Sequence, residues 1–60
     1  MTADSYFEKD LFVVLDAFDG GEYSLNNLYD LVHHRVSKSR IVYELVKEYG
    51  RVHVEGVLVD

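Results

Sequence analysis

Glycine occurs at only positions 20, 21, 50 and 56, and proline is absent. The chain therefore has few places to turn, and between them its apolar residues recur at helical spacing. Phe7, Leu11, Val14, Leu15 and Phe18 follow one another in steps of three and four, which places them on one face of a helix. Ser5 and Glu8 stand at the spacing of a capping box, and Asp19-Gly20-Gly21 supplies the residue that accepts a left-handed C-terminal cap. These signals predict a first helix over Ser5–Asp19.

A second helix is expected from Ser24 as its N-cap to about His33 or His34. Its buried stripe would be Leu25, Leu28, Leu31 and Val32, with Tyr29 at the edge. Ser37 is a natural N-cap for a third helix from Lys38 to Tyr49, with Ile41, Val42, Leu45 and Tyr49 inward and Gly50 as its stop. The tail then changes period. Arg51-Val52-His53-Val54 and Val57-Leu58-Val59-Asp60 are β-branched runs around Glu55-Gly56, the minimum connection of a hairpin. They read as a two-stranded ribbon, or alternatively as one strand that pairs with a partner chain. A lone ribbon is marginal in water and has to pack on the helices or on another subunit.

At 60 residues the chain is a single domain, residues 1–60, with a small core, and without cysteine it has neither disulfides nor thiolate metal sites. Homodimerisation is the expected remedy for so small a core. The longest apolar run, Leu11–Leu15, falls far short of the roughly 20 residues of a membrane span. The acidic start Met1-Thr2-Ala3-Asp4 lacks the layout of a secretion signal, so a cytoplasmic protein without a membrane partner is expected.

Charge is distributed unevenly. Residues 1–32 carry seven carboxylates against Lys9, a net of −6, whereas residues 33–54 carry Arg35, Lys38, Arg40, Lys47 and Arg51 against Glu44 and Glu48, a net of +3. His33, His34 and His53 lie in the same window, while the whole chain carries −5. A basic island that straddles a turn between two helices is a footprint suited to phosphate.

Three helices followed by a hairpin is the order of a winged helix-turn-helix domain. The stretch from Ser24 to Leu45 resembles that family. Leucines mark a scaffold helix, the turn closes on Val36-Ser37, Ile41 stands four residues after that serine, and Leu45 follows one turn later. His33-His34-Arg35 fills the turn where many members have glycine. The resemblance implies a mainly α fold with a short C-terminal β-hairpin and a sequence-specific, double-stranded DNA-binding transcriptional regulator acting as a homodimer. Its recognition helix would be residues 38–49. Small repressors and excision factors of viruses, phages and plasmids are analogous.

On a helical wheel Ser39, Arg40, Tyr43 and Lys47 lie away from Ile41 and Leu45, where arginine can bind guanine and serine or tyrosine can bond bases or phosphates. Lys38 and the Ser37 end of the helix would clamp a phosphate, and Arg35 and Arg51 would add flanking contacts. The spacing of Arg40, Glu44, Lys47 and Glu48 equally suits ion pairs on a solvated face.

The alternative is a protein-binding inhibitor or adaptor that uses the acidic face of helix 1 or its C-terminal strand. Tyr6, Val13 and Ala17, with Phe12 set among carboxylates, are the candidate dimer or partner interface. The histidines read as exposed turn residues rather than metal ligands, since adjacent helical positions diverge by about 100°. No catalytic set and no cofactor-binding motif is present, so neither an enzyme nor a cofactor is expected.

Overall fold

Phe18 is 1% exposed and packs against three other rings. Its ring centroid lies 5.2 Å from that of Tyr23, 5.0 Å from that of Tyr49 and 6.0 Å from that of His53. In the computed structural model, which describes the backbone of residues 3–59 and the side chains of residues 8–59, these rings belong to different elements. The order is α1 (Ala3–Asp19), α2 (Leu25–Leu31), α3 (Lys38–Tyr49) and α4 (Arg51–Val57). The core comprises Val14, Phe18, Leu25, Leu28, Val32, Val36, Ile41, Leu45 and Val54.

The end of α1 follows from its two glycines. Gly21, at φ 103°, donates its N–H to the Phe18 carbonyl (3.0 Å), and Glu22 donates to that of Ala17 (2.9 Å). This is a Schellman closure, which satisfies carbonyls the helix cannot reach itself. α1 begins at Ala3, two residues before the expected start. Ser5 and Phe7 fall outside the described side chains, and with them the capping box.

α2 is shorter than its leucine spacing suggests. The Ser24 hydroxyl caps it by accepting from the Asn27 N–H (3.3 Å), but the helix ends at Leu31. His33 and His34 then turn the chain at φ 53° and 62°. This turn decides the inward residues: Val32 is fully buried, whereas Leu31 is 46% exposed. α3 has the expected bounds, with the Ser37 hydroxyl accepting from the Arg40 N–H at 3.1 Å.

The C-terminal hairpin, and with it the winged helix-turn-helix fold, is not what forms. Gly50 (φ 89°, ψ 148°) stops α3, and the next seven residues coil into α4. Among the described residues there is no strand, and the only ladder contact is an isolated parallel bridge between Ser24 and Val59. Val59 donates to the Tyr23 carbonyl (2.8 Å) and accepts from the Leu25 N–H (2.9 Å), which ties the tail to the start of α2.

The physical reason is that a helix satisfies its own backbone, whereas a two-stranded ribbon has no third strand to lean on. Valine costs about 0.5 kcal/mol per residue in a helix, and burying a valine side chain returns about 1.5–3 kcal/mol. Val54 is 1% exposed, and Val57 and Leu58 pack partly against the core from the same side. Their spacing of three and four is helical, and it competes in the sequence with the two short alternating pairs Val52/Val54 and Val57/Val59.

Candidate nucleic-acid interface

Because Ile41 and Leu45 are fully buried, the opposite side of α3 must face water. Ser39, Arg40, Tyr43 and Lys47 are all exposed there, Tyr43 by 57%. The Arg40 guanidinium lies 5.4 Å from the centroid of the Tyr43 ring, a cation–π arrangement. Arg40 also pairs with Glu44 one turn on, its Nε 3.2 Å from Oε2. That pair is one the helical spacing allowed. Glu44 itself is buried, and its Oε2 is fully enclosed without a hydrogen bond.

The remaining cations are divided. Arg35 is held in the turn by Asp10 of α1: Nε donates to Oδ2 and Nη2 to Oδ1, both at 2.8 Å. The Asp10 side chain is 7% exposed and that of Arg35 is 52% exposed, so this pair seats the turn between α2 and α3 on α1. Lys38 Nζ donates to Asn26 Oδ1 at 2.5 Å and sits 5.3 Å from the Tyr29 ring centroid. Ser37 spends its hydroxyl on the cap. Arg51 opens α4 rather than a wing and lies 3.9 Å from Glu55. Thus Ser39, Arg40, Tyr43 and Lys47 share one face, while Arg35 and Arg51 belong to other elements.

The Arg35 guanidinium hydrogen-bonded to Asp10 holds that carboxyl below its ordinary 3.8, against burial, which pushes it up. Burial and the carboxylates of Asp19, Glu48 and Asp16 raise the Tyr49 hydroxyl above its usual 10.0. That hydroxyl donates to the Leu15 carbonyl at 3.1 Å and fastens α3 to α1.

His34 stacks on Tyr29 (4.2 Å between centroids, 7° between planes) and bonds Asp30 through Nε2 at 2.6 Å. His33 is exposed in the turn, and His53 lies beside Phe18 and Tyr49. Among the described residues no three histidines or carboxylates gather as metal ligands would. No helix among them is long and apolar enough to cross a membrane.

The candidate partner strip divides. Val13 is 43% exposed, Ala17 is half-buried against the core, and Phe12, 72% exposed, lies on the other flank of α1. The Tyr6 side chain is outside those described. Among the described residues Asp10 and Glu44 are the buried carboxylates; helical spacing offers Glu44 as an ion-pair partner but does not mark either as buried. Asp10 could have been found by position, since it stands four and eight residues before Val14 and Phe18 on the buried stripe. No protein-family model, curated protein or solved structure compared with this chain matches it.

Proposed function

We propose that this chain is a small double-stranded DNA-binding regulator that reads with the solvent face of α3. The observation that carries the reading is the set Ser39, Arg40, Tyr43 and Lys47 on one exposed helix face, with an exposed aromatic ring at its centre. Arginine, lysine, serine and tyrosine are donors to phosphates and base edges, and a helix is the element that fits the major groove. Lys38 lies off this face, turned toward Asn26 and Tyr29 of α2, and would add at most a flanking phosphate contact. The net charge of −5 supports one orientation, because the acidic helix α1 is repelled by the backbone that α3 approaches.

One module makes few phosphate contacts, and Arg40 has to exchange Glu44 for DNA. Useful affinity therefore requires two copies, whose reading helices would stand about 34 Å apart on a near-palindromic site. Fluorescence anisotropy with duplex DNA between about 50 and 200 mM salt tests this, since each phosphate contact steepens the salt dependence by about 0.9. Binding that falls with salt and disappears in an Arg40→Ala, Lys47→Ala double variant with unchanged helicity is the expected result. Absence of binding at the lowest salt would end the proposal.

The rival, a protein-binding adaptor, is favoured by a different surface. The C-terminal segment already uses the backbone of Val59 within the chain, so what supports that reading is the flank of α1 that carries Phe12.

A further inference from the structure

Where α1 lies along α3, a groove of about 390 Å³ opens between Glu8, Leu11, Phe12 and Leu15 on one side and Glu44 and Glu48 on the other. Its floor is apolar: Leu11 and Leu15 are half-buried, and Phe12 stands 72% exposed at its lip. Its rim is acidic. Glu8 and Glu48 are exposed, and Glu44 is buried with one oxygen lacking a hydrogen bond and Arg40 as its ion partner.

We infer that this groove docks a basic amphipathic helix, with an apolar anchor against Phe12, Leu11 and Leu15 and lysine or arginine over Glu8 and Glu48. Three features select that occupant. The walls are two helices, between which a third packs through ridges at i, i+3, i+4 and i+7. The rim charge opposes DNA. It also opposes a second copy docked through the same face, since carboxylates would then meet carboxylates at the edge. The groove adjoins the α3 face through the Arg40–Glu44 pair but includes none of Ser39, Arg40, Tyr43 or Lys47, so it stands whether or not α3 reads DNA.

The test uses the full chain and a labelled synthetic peptide of roughly 18 residues, with leucine at i, i+3, i+4 and i+7 and lysine elsewhere. One control scatters the same leucines, and the other keeps their pattern but replaces lysine with glutamate. The patterned lysine peptide is expected to bind at least about tenfold more tightly than either control, and Phe12→Asp to weaken it about tenfold. Phe12 is largely exposed, so that variant should keep its helical circular dichroism. Glu48→Gln, a second and milder change, should also weaken binding and flatten its salt dependence, whereas Asp30→Asn, outside the groove, should not. Equal binding of the scattered peptide, or affinity indifferent to both groove variants, would reduce the effect to bulk charge and overturn the inference. Failure of the patterned peptide to bind would overturn it too.

Discussion

Asp10 and Arg35, 25 residues apart, form a two-pronged ion pair whose acidic member is buried and whose basic member is half in water. The pair locks the turn before α3 to the middle of α1, and its asymmetry makes the two deletions unequal. Arg35→Ala leaves a buried carboxylate without its cation and should cost about 1–3 kcal/mol, less than for a fully buried pair because the guanidinium side is open to water. Asp10→Ala leaves a guanidinium that water can solvate, and the cost should be about half of that. Urea denaturation of both variants measures the difference; equal losses would mean that the pair works by packing alone.

The same contact sets the acid limit of stability. Arg35 depresses the Asp10 pKa in the folded state, so the unfolded chain binds the proton more readily. The stabilisation is complete above the unfolded carboxyl's value of about 4 and is lost as pH falls through the lower folded value. Thermal melts from about pH 6 to pH 2 should show Tm dropping most at the acid end. Asp10→Asn should flatten that drop relative to wild type.

Gly56 distinguishes a helical tail from a hairpin. It lies inside α4, and a methyl group at its Cα would meet nothing within 4 Å. Gly56→Ala should therefore stabilise the protein by about 0.5–1 kcal/mol, through helix propensity and a less flexible unfolded chain. In a two-residue hairpin turn the same substitution would strain the backbone and destabilise the protein. A chemical denaturation midpoint reads the sign directly.

His33 and His34 both occupy left-handed backbone that favours glycine. His34 offsets the cost with its Tyr29 stack and its Asp30 bond. His33→Gly should raise stability by up to about 1 kcal/mol, and His34→Gly should gain less or lose. A His33→Gly variant less stable than wild type would show that the imidazole makes a contact worth more than the strain.

Legibility differed by element. The end of α1 at Asp19 and the bounds of α3 could be read because each rests on local chemistry: a glycine pair that closes carbonyls, a serine hydroxyl that caps amides, and apolar residues in steps of three and four. The exposed face of α3 followed from the same stripe, since burying Ile41 and Leu45 leaves Ser39, Arg40, Tyr43 and Lys47 outside. The tail carries two conflicting patterns: Val52/Val54 and Val57/Val59 each alternate on either side of Glu55-Gly56, as in a hairpin, while Val54, Val57 and Leu58 fit a helical period. Local propensity favoured the first.

Periodicity and caps alone therefore determined three helices, their approximate order of burial and the location of the positive charge. The tertiary structure decided the rest, because each remaining choice depends on a partner distant in sequence. Val54 becomes helical by reaching the core around Phe18, and Val59 becomes a bridge by meeting Ser24. Arg35 becomes a strut once Asp10 is buried beside it, and an acidic groove exists because α1 happens to lie along α3. Short-range signals are read from neighbours within a turn, whereas burial and ion pairing are properties of residues that only folding brings together.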